Sequence, residues 1–116
     1  MKIVRIYADD QGESHFEDIE LPFTRRGDTE LTELQPATGI IFRRTPPDQF
    51  IDWHPAPRRQ YVITLAGEVE IQASDGEVRR FGPGDVMLAD DTTGKGHITR
   101  GIGSIPRISI FVPLAD

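Results

Sequence analysis

The chain has 116 residues, 37% hydrophobic and 28% charged, which fits one globular domain spanning 1–116 and leaves no room for a second stable core. Its net charge of −6, from 19 acids against 13 bases, repels phosphate backbones and argues against a nucleic-acid partner. The absence of cysteine excludes disulfides and thiolate metal sites. No apolar run approaches the ~20 residues of a membrane span. The opening "MKIVRIYADDQG" lacks the apolar stretch of a signal peptide, so the expectation is a cytoplasmic protein with no membrane partner.

In chain order, "KIVRIY" (2–7) predicts a strand, followed by a turn at "ADDQG". "SHFEDIELPF" (14–23) alternates apolar and polar residues and predicts a second strand. Residues 24–38 carry no such pattern and read as loop or a short helical turn. "GIIFRRT" (39–45) predicts a strand that "TPPD" ends. The clearest run begins at Gln60 and holds four strands, at 60–65, 68–73, 77–81 and 85–89, separated by Gly67, "SDGE" and "GPGD". Within it Asp75-Gly76 is a strong hairpin signal, because glycine tolerates the positive φ of a tight turn. "RISIFVPL" (107–114) supplies a last strand. Short strands, close turns and no crossover helix predict an all-β antiparallel sandwich or jelly-roll barrel with little helix. The basic pairs Arg25-Arg26, Arg43-Arg44, Arg58-Arg59 and Arg79-Arg80 are scattered along the chain and read as solvated strand edges.

Two segments carry candidate chemistry. "DWHPAPRRQY" (52–61) places His54 just before the best strand, and "DDTTGKGH" (90–97) ends on His97. The second is not a Walker phosphate loop. Ala89 stands at its first glycine position, Gly96 replaces the Ser/Thr, and no helix follows to offer its N-terminus.

The spacings resemble those of the cupin superfamily. Gly67 follows Gln60 by seven residues, as the first cupin motif requires, so that His54 takes the first histidine position, Ala56 the second and Gln60 that of the glutamate. "FGPGDVML" looks like the turn that opens the second motif, and Gly94 and His97 keep the spacing of its end. Departures are Ala56, Gln60, Thr92 in place of a proline, Gly101 in place of a terminal asparagine, and a loop from Gly84 to Thr92 two residues longer than usual. The resemblance covers roughly 39–114 and is similar to small single-domain bacterial cupins. It implies a jelly roll, homodimers paired through outer strands, and chemistry as varied as isomerases, dioxygenases, lyases and ligand sensors.

A cupin metal site uses three histidines and a carboxylate. Here His54, His97 and the amide of Gln60 remain, with His15 or Asp91 as further candidates. The resemblance therefore implies a divalent transition metal (Zn, Ni, Mn or Fe) held weakly or absent. Alternation from Gln60 sends Val62 and Thr64 inward, and Tyr61, Ile63 and Leu65 outward. Arg58, if it follows the same alternation, sets a cation beside the histidines. Trp53 is a candidate pocket wall and Lys95 a candidate loop residue reaching over a ligand. Two functions fit. One is an enzyme acting on a carboxylate- or enolate-bearing small molecule, with His54 and His97 as acid and base or partial metal ligands. The other is a non-catalytic ligand-binding or sensor cupin. Either way, the two imidazoles should lie within ~6 Å of each other, and alanine at either position should leave the melting temperature nearly unchanged.

Overall fold

A computed structural model describes residues 1–116 as twelve strands and no helix. They are β1 (Lys2–Ala8), β2 (Ser14–Glu20), β3 (Thr24–Arg26), β4 (Thr29–Leu31), β5 (Ile41–Thr45), β6 (Phe50–His54), β7 (Gln60–Ala66), β8 (Glu68–Ala73), β9 (Val78–Phe81), β10 (Val86–Asp90), β11 (His97–Ile102) and β12 (Arg107–Pro113). One sheet runs β2-β1-β10-β7-β12-β5, and a second runs β6-β11-β8-β9. Their inner faces form a jelly-roll-like sandwich. No helix is long and apolar enough to cross a membrane.

The alternation expected from Gln60 holds along β7. Gln60, Val62 and Thr64 are buried, while Tyr61 and Ile63 are half-buried and Leu65 is exposed on the outer face. Ile6, Phe16, Val62, Val69, Ile71, Phe81 and Met87 interlock between the sheets as the main apolar core. Each such side chain contributes about 1.5–3 kcal/mol on burial.

Two expectations are corrected. Residues 24–31 form the exposed β3/β4 hairpin rather than a loop or helical turn. β6 and β11 are strands that composition concealed. β6 lies between Pro47 and Pro55 at a sheet edge, where proline beside a strand removes no needed ladder bond. The expected antiparallel sandwich is observed, with one parallel pair, β1 against β10, Val4 opposite Met87.

One flank of the sandwich is closed by polar ties. Ser14 Oγ accepts from the Ser74 amide at 2.7 Å, and Arg79 bonds Asp18 at 2.8 Å. His15 adds a clamp, with Nε2 at 2.7 Å from Asp9 and Nδ1 at 2.9 Å from Asp75, joining the β1–β2 turn to the β8–β9 hairpin. The bond to Asp9, helped by Asp75 and opposed by desolvation, raises the His15 pKa; the bond from His15 lowers that of Asp9. The histidine's contribution is therefore complete below its unfolded value of about 6.5 and is lost as pH climbs through the raised folded value. That of Asp9 is present above about 3.9 and is lost as pH falls through the lowered one. In denaturant titrations, the stability gap between wild type and His15→Gln should be widest near pH 5 and shrink by pH 9. A gap constant across that range would show that the clamp carries no charge.

Candidate functional site

On the opposite flank, β5 and β6 are the outer strands of their sheets, and a cavity of about 390 Å³ lies between the sheets there. This is an ordinary volume for a small-molecule site. Its apolar wall includes Ile41, Ile51, Val62, Ile71, Met87 and Phe111. Its polar groups are His54, His97, Gln60, Gln49, Thr99 and three arginines, Arg43, Arg58 and Arg107. No carboxylate lines it.

The two histidines converge. His97 opens β11 directly opposite His54, the last residue of β6, and the ring centroids are 4.4 Å apart, inside the distance expected from the spacings. His54 Nδ1 donates to the Asp52 carbonyl at 2.7 Å. Since a carbonyl only accepts, Nδ1 carries a proton, and in the neutral ring the lone pair sits on Nε2. His97 Nδ1 donates to the Asp91 carboxylate at 2.5 Å, which fixes its tautomer in the same way. Asp91 is 0% exposed, and its other oxygen has no partner.

The loop "DDTTGKGH" delivers His97 by a backbone fit. Gly94 and Gly96 have φ of +75° and +77°, a region that L side chains avoid. A Cβ on Gly94 would lie 2.7 Å from the Gly12 Cα, and one on Gly96 would overlap the His54 carbonyl. Closing the fit, the Lys95 amide donates to the Gly12 carbonyl at 3.0 Å, and Ser14 Oγ donates to that of Gly96 at 2.7 Å. Gly96→Ala should lose roughly 2 kcal/mol or more in urea denaturation, combining left-handed strain with the clash. Gly103→Ala is the control, with φ +81° but open space around it, and should lose clearly less. Equal losses would remove the clash from the account.

The structure sorts the remaining candidates. Gln60, 2% exposed, lines the cavity with its Oε1 unpartnered. Arg58 reaches the rim from an exposed position. Thr64 is buried behind the wall and accepts from Arg107 Nη2 at 3.2 Å. Trp53 and Lys95 do not line the cavity. Trp53 adjoins His54 on a strand and so faces the other side, where Lys95 Nζ sits 4.5 Å from its ring centroid. His15 belongs to the clamp described above, and Asp91 stands behind His97 rather than in the cavity.

Sequence reasoning missed Arg107 and Arg43. Arg107 is 8% exposed, its Nε has no partner, and no acid pairs with it. Burial, and then the nearby charge of Arg43, push its pKa down to about 10. Arg43 lies over the Phe111 ring at 4.4 Å. The inward alternation Arg107, Ser109, Phe111 along β12 was the available signal.

The donors do not fit a tightly held metal ion. No group of three or more His, Cys, Asp or Glu side chains is placed to hold one. Two imidazoles and a neutral amide oxygen leave the cation's charge uncompensated, and three guanidiniums in the same lining repel it.

No protein-family model matches the sequence, and no curated protein does. Among solved structures, the crystal structure of a conserved protein of unknown function from Streptococcus pyogenes, SPY1581, superposes with a TM-score of 0.50. The two are 23% identical over 74% of this chain and 72% of that one. This likeness shows the fold alone.

Proposed function

We propose that this chain is a cupin that binds a small organic anion in the cavity, with His54 and His97 as its acid–base pair. The observation that carries the reading is Arg107, a buried guanidinium facing a cavity with no acid to neutralise it. An uncompensated buried cation is costly, and a ligand carboxylate or enolate offsets that cost with a bidentate, charge-assisted bond. No protein group bonds either Nε2 and the rings adjoin, so one imidazole can take a proton from a bound ligand while the other, once protonated, returns one. The motif spacings from Gln60 to Gly67 and from Gly94 to His97 support the cupin assignment. Thermal-shift titration with sodium carboxylates, against sodium chloride at matched ionic strength, tests the reading. Stabilisation by carboxylates but not chloride is expected, and an equal response to both would overturn it. Incubation of a stabilising acid with the protein in deuterated water then separates an enzyme from a binding module, because only acid–base catalysis exchanges a carbon-bound proton.

We also propose a homodimer through the β5 edge. Ile40, Ile41 and Phe42 are exposed there, Phe42 at 73%, on a strand with one side of its ladder unpaired. Light scattering at micromolar concentration should give twice the chain mass; a monomer would count against it.

A further inference from the structure

The sheet register divides the cavity into three levels. At one end lie Gln60 and, on the facing sheet, the paired His97 and His54. In the middle, Phe111 stands between Val62 and Ile41 in the ladder, with Ile71 and Ile51 flanking Thr99 opposite. At the far end, Ser109 aligns with Thr64 and Arg43, and the Arg107 guanidinium reaches the Thr64 hydroxyl at 3.2 Å. Gln60 and Thr64 are four residues apart on one strand, so the two polar ends are separated by about 13 Å of backbone.

Each end holds a buried polar atom that no protein group satisfies: Gln60 Oε1 at the histidine end and Arg107 Nε at the other. Buried polar atoms are rarely left unpaired in a native protein. A compact anion such as acetate satisfies one end only.

From this register we infer that the ligand is an elongated, two-ended acid, an inference that rests on the anion-binding reading above. Its carboxylate pairs with Arg107 and Arg43. Its unbranched apolar body runs past Phe111, Val62 and Met87. A hydroxyl at its other end donates to Gln60 Oε1 beside the two imidazoles, far from the charged end. This arrangement selects by length, because only one chain length satisfies both ends together.

Calorimetric titration of wild type and Arg107→Met with straight-chain acids from acetate to decanoate, each with and without a terminal hydroxyl, tests the inference. Affinity should rise about fourfold per methylene. The hydroxyl should add about tenfold at one intermediate length and weaken binding at shorter ones, where it falls among the apolar side chains. Gln60→Leu should erase the hydroxyl's gain but keep the dependence on length. If acetate binds as tightly as the longer acids and needs Arg107, the anion reading stands and the two-ended ligand is wrong. The same holds if the hydroxyl helps at no length. If Arg107→Met binds every acid as wild type does, or wild type binds none, the anion reading itself falls.

Discussion

Arg107→Met is expected to melt about 5–10 °C above the wild type while losing its affinity for carboxylates. Lowering the guanidinium pKa to about 10 corresponds to a folding penalty on the order of 3 kcal/mol at neutral pH. At 8% exposure, solvent screens little of it. The sign follows from the direction of the shift. A base whose folded pKa is depressed destabilises the fold at every pH below that value, and the penalty fades as pH rises through about 10. Methionine removes the charge and leaves a flexible apolar side chain in the cavity lining. The lost bond to Thr64 returns only about 1 kcal/mol of that gain. A lower melting temperature would mean that Arg107 holds the sheets together rather than waiting for a ligand. The combination of greater stability with lost binding is what distinguishes a binding group from a structural one.

His97→Ala should destabilise by roughly 3–5 kcal/mol, because it strands the Asp91 carboxylate, 0% exposed, with neither oxygen bonded. His54→Ala removes a half-buried ring whose Nδ1 meets only a neighbouring carbonyl and should lose about 1 kcal/mol. Both variants should lose ligand binding. For His97 the bond to Asp91 thus gives a different expected outcome from the unchanged melting temperature read from spacing alone. Adding Asp91→Asn to His97→Ala should recover a large part of the loss in urea denaturation, since a neutral amide costs less to bury than an unpaired charge. If the double variant is no more stable than His97→Ala, the cost lies in packing around the ring rather than in the stranded carboxylate.

The hairpins of β7 to β10 were legible because each is local: alternating residues and a turn signal lie within ten residues of one another. The meeting of His54 with His97 was legible for another reason, as the motif spacings preserve it. Arg107 was not. Its neighbours in sequence alternate like any strand, and only the pairing of β12 with β5 and β7 reveals that its inner face looks onto a cavity. Arg43 failed in the same way, since an arginine pair on a strand sends one member to each face. Trp53 and Lys95 were misplaced by proximity in sequence to the histidines; the one-residue offset between Trp53 and His54 on a pleated strand turns Trp53 away, and Lys95 sits over its ring. β11 escaped notice because its one glycine, Gly101, serves close backbone approach against Pro47, and glycine otherwise signals a turn.

The parallel pairing of β1 with β10 sets an order for biogenesis. During synthesis the first strand emerges early, pairs with β2 as a hairpin, and then waits for residues 86–90 to leave the ribosome. At ~5–20 residues per second the delay is several seconds, far longer than the microseconds a hairpin needs to form. Throughout it, the backbone edge of β1 destined for β10 stays unpaired, and Ile6 lacks the core that covers it in the fold. The cavity itself cannot exist until β12 follows. The growing chain therefore carries β1 with one edge open while residues 21–85 are made, and the cavity between the sheets closes only once β12 has joined β7 and β5.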